Sequence, residues 1–368
     1  MAVMSDSAVD AADAALDEVA SLVPLLIGTL DTLAVIARGL HPPWLPELIG
    51  LIGDQDATLA EALERLRAAP PPPGPGTVRD QLGEAADLAL SACAGLSEAA
   101  WSPAGPGAAF RALGQYTRAV EVLYPLSGVL PVISRWFLSP GQQDDADLLE
   151  RLRQPPVPGT GVQHVANERG TRGGFSVYVP EYLNPATPAP VVVALHGGSG
   201  HGHSFLWTWI REARSRGLIL ATPTSTGSTW SLADPDVDIT HLNRVLEHIR
   251  SGWTIDPERM LLTGMSDGGT FTLMSGVTEA SPFTHLAPIA ASFHPLLMMI
   301  SDPARMAGLP IYLVHGDLDW MFPVELAHEA YAALSDAGAR VDFREIPDLS
   351  HTYPAEENPL IIDWLQDR

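Results

Sequence analysis

Residues 261–270 read LLTGMSDGGT. An apolar run enters Gly264-Met265-Ser266-Asp267-Gly268 and a helix-compatible segment leaves it, so the stretch is read as a nucleophile elbow. In such an elbow a serine sits in a sharp strand-to-helix turn, and glycines two before and two after it let strand and helix approach closely. The turn aims the Ser266 hydroxyl outward. The following helix points its amides and positive dipole end at the same place, where charge developing on a substrate oxygen would be stabilised. Taken alone, the five residues also fit a glycine-rich turn with a surface serine, the lesser reading, and the neighbouring sequence has to decide.

Outward from the elbow, short apolar runs alternate with amphipathic ones. Strands are predicted at 174–179, 191–195, 218–221, 260–263, 286–291, 311–314 and 341–346. Helical segments are predicted near 205–216, 238–251, 267–279, 324–337 and 359–366. Strands that are apolar throughout and separated by helices imply a sheet buried on both faces, hence a mostly parallel α/β architecture. Chemistry in such sheets gathers at the carboxyl ends of the strands. Three further strand ends carry suitable residues. His196-Gly197-Gly198-Ser199-Gly200 offers exposed backbone amides, as an oxyanion hole requires. His315-Gly316-Asp317-Leu318-Asp319-Trp320 offers two carboxylates, and Pro347-Asp348-Leu349-Ser350-His351 places a histidine in the last loop. The chain order Ser, Asp, His is the one the α/β-hydrolase topology imposes.

Composition narrows the chemistry. The 368 residues and 46% hydrophobic content are ample for two domains with sizeable cores. A net charge of -23 argues against nucleic acid and anionic membrane surfaces as partners. All 21 basic residues are Arg, which excludes a Schiff-base lysine, a phosphate-loop lysine and a Ser-Lys dyad. The single cysteine, Cys93, excludes an intrachain disulfide framework and is expected as a small core residue. The N-terminus carries acids where a signal peptide carries positive charge, and the apolar stretch 22–37 is interrupted by Pro24 and Asp31. A cytoplasmic chain without a membrane span is the expectation.

The first third is helical. Leu16, Val19, Val23, Leu26, Leu30 and Leu33 recur at three- and four-residue steps on one helix face, with a kink or restart expected at Pro24. Further helices are predicted at 46–52, 57–68, 79–100, 108–123 and 145–153, with a proline-rich connection at 69–77. A second break, 154–161 (QPPVPGTG), marks the boundary, so residues 1–155 are read as a helical domain and 156–368 as the α/β domain. Nothing in the helical domain has catalytic or metal-ligand spacing. It is expected either to cover the mouth of the site as a lid or to mediate homo-oligomerisation.

The region from about Arg172 to Arg368 resembles α/β-hydrolase serine esterases, most closely the group of poly(3-hydroxybutyrate) depolymerase-like enzymes, feruloyl esterases and phospholipase/carboxylesterase proteins. The resemblance is carried by LHGGSG at 195–200, WTIDPERMLLTGMSDGG at 253–269, HGDLDWMFP at 315–323 and SHTYP at 350–354. It implies an α/β-hydrolase fold behind an all-helical N-terminal domain, with Ser266 as nucleophile, Asp319 as triad acid and His351 as general base. It also implies oxyanion donors from the backbone of Gly198 and Asp267. With Cys93 as its single cysteine and no secretory signal expected, the sequence departs from the secreted depolymerases and feruloyl esterases, which argues against a polymer substrate.

The residue types agree with these roles. A serine hydroxyl needs a histidine to accept its proton, and the histidine needs a carboxylate to hold its tautomer. Asp319 stands where the family places its acid, with Asp317 as the alternative. His351 has rivals in His315, His196 and His294. His196, Trp230 and Trp320 are candidate pocket residues, and Met298, Met299, Met306 and Met321 could line an acyl pocket or fill core. The cluster His196, His201, His203 has no patterned carboxylate beside it, so no metal and no organic cofactor are expected. The expectation is a hydrolase of small-molecule carboxylic esters working through an acyl-enzyme. A polyester, a thioester or an amide on the same triad are alternatives, and a non-catalytic binding protein is a further one. Activity should fall as pH drops below about 6.5, the ordinary histidine value.

Overall fold

One eight-stranded sheet organises the second half of the chain, in the order β1-β2-β4-β3-β5-β6-β7-β8. The strands are β1 (Gly161–Val165), β2 (Phe175–Val179), β3 (Ala189–Leu195), β4 (Ile219–Pro223), β5 (Ile255–Met265), β6 (His285–Ile289), β7 (Pro310–Gly316) and β8 (Arg340–Ile346). β1 and β2 run antiparallel to their neighbours, and every pairing from β4 through β3, β5, β6 and β7 to β8 is parallel. This is the α/β-hydrolase arrangement. Helices cover both faces, so Val191, Val193, Leu262 and Ile311 are fully removed from water in one apolar core.

The computed structural model describes residues 6–70, 77–102, 105–295 and 297–367. Most of the proline-rich connection expected at 69–77 lies outside the described residues. The chain divides into two compact units, Met1–Phe137 and Leu138–Arg368. That division falls earlier than the 155/156 boundary expected from sequence. The helix Ala146–Arg153, expected with the helical region, is counted with the sheet unit. Two contacts explain this: the Arg151 guanidinium lies 4.5 Å over the Tyr182 ring, and the Ser139 amide donates to Ser215 Oγ at 2.8 Å.

Among its described residues the first unit has helices and no strand, and is built mainly from Asp6–Gly39, Gln55–Ala68, Thr77–Ala99 and Gly105–Leu123. Its first helix runs without a break past Pro24. The face it buries is Leu22, Leu26, Leu30, Leu33 and Ile36, whereas Leu16, expected on that face, is exposed. Asp31 accepts a hydrogen bond from Trp136 Nε1 at 2.8 Å, which gives the one acid of this apolar stretch a partner. Among the described residues this helix alone, over Ala15–Gly39, is long and apolar enough to cross a membrane by length and composition.

Candidate active site

Ser266 joins the end of β5 to the helix Asp267–Gly276 with φ 55° and ψ −120°, a conformation costing a residue with a side chain about 1–3 kcal/mol. Backbone bonds hold it there. Its amide donates to Ile289 O at 2.9 Å, and its carbonyl accepts the Thr270 amide at 2.9 Å. The flanking glycines are a packing requirement: a Cβ on Gly268 would stand 2.5 Å from His196 O and 2.6 Å from Leu195 O. The elbow is thus pressed against the loop that follows β3.

Asp319 lies beyond β7 and His351 in the loop after β8, and the sheet brings both to Ser266. His351 Nε2 is 3.0 Å from Ser266 Oγ, and His351 Nδ1 is 2.7 Å from Asp319 Oδ2. All three are buried, with Ser266 and His351 each 7% exposed. Asp319 Oδ1 accepts the amides of Met321 and Phe322 at 2.9 and 2.8 Å. Burial by itself would raise the Asp319 pKa. The hydrogen bond from His351 and the Phe322 and Met321 amides outweigh it, so the carboxyl is held below its ordinary value. The alternative acid, Asp317, is exposed, and it is Asp319 that meets His351. Slight desolvation and then the neighbouring Glu345 carboxylate push the Asp317 pKa up. His315, a rival base, is fully buried and donates from Nε2 to Phe322 O at 2.7 Å, closing the turn that carries Asp319.

The loop after β3 is held as tightly as the elbow. Ser199 takes φ 57°, and its amide donates to Ser228 O at 3.1 Å, while the Gly200 amide donates to Gly197 O at 3.0 Å. The Asp267 amide opens its helix, where first-turn N–H groups have no intrahelical acceptor. A Cβ at Gly198 would lie 2.7 Å from Asp267 Oδ2, so a side chain there would displace the Asp267 carboxylate. Asp267 Oδ2 accepts the Thr229 hydroxyl at 2.5 Å.

Two expected pocket residues are placed inside the framework instead. His196 is 1% exposed and Trp230 2%. His196 donates from Nδ1 to Gly197 O at 2.7 Å and accepts the Ser225 amide at Nε2, 3.1 Å. Burial pulls its pKa down to about 4, so the ring is neutral. Trp230 donates to His196 O at 2.8 Å and stacks on Phe271 with centroids 5.4 Å apart. Both side chains are committed to holding the loop, which leaves them no surface for a ligand. Trp320, beside the acid, is half exposed. Of the four methionines, Met306 is core and Met298 packs against it, while Met299 and Met321 are exposed.

The histidine cluster is spent on backbone as well. His201 Nε2 donates to Thr171 O at 2.8 Å and His203 Nδ1 to Asn167 O at 2.9 Å, with the His203 ring stacked on His164. Sequence reasoning missed Asp238, a fully buried carboxylate that accepts the amides of Thr226 and Ser231 at 3.0 and 2.8 Å and so shapes the loop after β4. In sequence it reads only as one of several acids at a helix start.

Residues 238–367 match the family described as Phospholipase/Carboxylesterase. The chain is 30% identical over 129 residues to an acyl-protein thioesterase of Neurospora crassa, covering 34% of this chain and 51% of that one. It is 26% identical over 197 residues to a bifunctional acetylxylan esterase/xylanase of Neocallimastix patriciarum, covering 52% and 28%. It is 28% identical over 114 residues to a carboxylesterase of Arabidopsis thaliana, covering 31% and 50%. The chain therefore spans about half the length, or less, of these curated relatives.

Proposed function

We propose, from the premise that residues 238–367 belong to the phospholipase/carboxylesterase family, that this chain is a serine hydrolase of carboxylic esters. The observation that carries the reading is the line from Ser266 Oγ to His351 Nε2 at 3.0 Å and from His351 Nδ1 to Asp319 Oδ2 at 2.7 Å. Ionised Asp319 accepts only, so Nδ1 carries the proton and Nε2 presents a lone pair to the serine hydroxyl. Ser266 Oγ attacks the ester carbonyl as its proton passes to His351 Nε2, and Asp319 stabilises the imidazolium. The carbonyl oxygen gains negative charge and takes hydrogen bonds from the amides of Gly198 and Asp267. His351 then protonates the leaving alkoxide, the acyl–oxygen bond breaks, and the acyl group remains on Ser266. Water, deprotonated by His351, releases the acid and restores the serine.

The two carboxylates at the elbow and acid turn, Asp267 and Asp319, and the surplus of acids over the whole chain favour neutral acyl groups over anionic ones. The Neurospora crassa relative makes a thiol the second leaving group to compare. Reaction with a fluorophosphonate followed by peptide mass spectrometry tests the assignment. One adduct, on the peptide containing Ser266, is expected; an adduct on another serine, or none, would contradict it.

A further inference from the structure

The loop between β1 and β2 sends one side chain across to the two loops that frame the elbow. Arg172 Nε donates to Gly227 O at 2.6 Å, its Nη1 to Gly200 O at 2.7 Å, and its Nη2 to Ser225 Oγ. One guanidinium thus ties the end of the loop after β3 to the loop after β4. A second set of bonds joins the same partners: Ser225 N to His196 Nε2, Ser199 N to Ser228 O, and Trp230 Nε1 to His196 O. The base of the Arg172 loop is anchored too, since the Gly173 amide donates to Ser225 O at 3.2 Å and the Thr224 amide to Gly174 O at 2.8 Å. Burial lowers the Arg172 pKa and the Asp238 carboxylate opposes that shift.

We propose that Arg172 is a positioning residue for the oxyanion hole: it holds residues 196–200, with Ser199 at positive φ, at the distance from the elbow that the developing oxyanion requires. Ser199 in a left-handed conformation persists only where its surroundings over-determine it. Three donors from one planar group, reaching two loops, supply that constraint, and a lysine ammonium cannot reproduce the fork. Arg172 touches no reacting atom. Its effect falls on the Gly198 amide, which is one residue from Ser199 and two from Gly200, the carbonyl Arg172 grips.

The inference rests on the serine-esterase reading, and one experiment separates the two. Hydrolysis of p-nitrophenyl butyrate is measured on the full chain, per active site titrated to completion with a fluorophosphonate, for wild type, Arg172→Ala and Arg172→Lys. The Ala variant is expected to lose about 10²-fold in kcat, the scale of a displaced oxyanion donor, with KM nearly unchanged. The Lys variant should recover little of it. Free guanidinium, well below denaturing concentration, should restore part of kcat to the Ala variant and none to the Lys variant. A purely structural role would lower the number of titratable sites or the melting temperature and leave kcat per site intact; that result overturns the proposal. If the Ala variant does not fold, wild-type kcat per site in the Lys variant overturns it. A wild type that neither turns over nor takes the label removes the esterase reading and this inference with it.

Discussion

A Cβ added to Gly264 would stand 2.5 Å from the carbonyl carbon and oxygen of Gly268, on the far side of Ser266. The two outer glycines of the motif therefore face each other across Ser266. The motif's spacing is a statement about backbone contact, which is why it marks the turn once the strands and helices around it agree.

Replacing Gly264 by alanine should accordingly destabilise the sheet unit by about 1–3 kcal/mol, because backbone and not a movable side chain is in the way. It should also lower kcat, since Gly268 or Ser266 must shift. Chemical denaturation and ester hydrolysis on the same preparation check both effects. Unchanged stability would mean that the elbow is looser than described.

The acid turn offers a paired test. Asp319→Asn keeps the shape but loses the ionised acceptor that holds the His351 tautomer, and kcat should fall by about 10⁴-fold. Asp317→Asn, at an exposed position next to Glu345, should leave kcat at the wild-type value. Equal losses in the two variants would show that Asp319 is not the triad acid.

Acid sensitivity should come in part from His196. Its pKa in the folded chain is about 4 against 6.5 for the free group, so the unfolded chain binds the extra proton first. The neutral ring's contribution is complete above pH 6.5 and is lost as pH falls through 4, up to about 3 kcal/mol in all. Asp319, held below its ordinary value, acts in the same direction at the acid end. Urea unfolding between pH 6.5 and 4 should show a shallower fall for His196→Gln than for wild type, whatever its starting stability. Parallel curves would remove His196 as the titrating group.

Much of this was legible in sequence because each signal was local. Strands β3 and β7 and the second half of β5 are nearly continuous apolar runs, and their burial on both faces leaves no alternating pattern to confuse with loops. Ser266, Asp319 and His351 follow strand ends in a fixed chain order, so topology alone brings them together. What was not legible depends on distant partners. β1 is a partly exposed edge strand just after a proline-rich run, and it reads as linker until β2 pairs with it. The unit boundary at Phe137 is set by Ser139 reaching Ser215 and by Arg151 over Tyr182, contacts with no signature in either segment. His196 and Trp230 have the residue types of pocket walls, and only their hydrogen bonds to Ser225 and to each other show that they are framework. Arg172 is one arginine among 21 until its three acceptors are seen.

The most direct measurement is turnover of p-nitrophenyl esters, from acetate to laurate, by wild type and by Ser266→Ala. The triad predicts measurable hydrolysis by wild type and a loss of about 10⁶-fold in kcat for the variant. Hydrolysis that survives the substitution at a comparable rate would contradict the assignment of Ser266 as nucleophile.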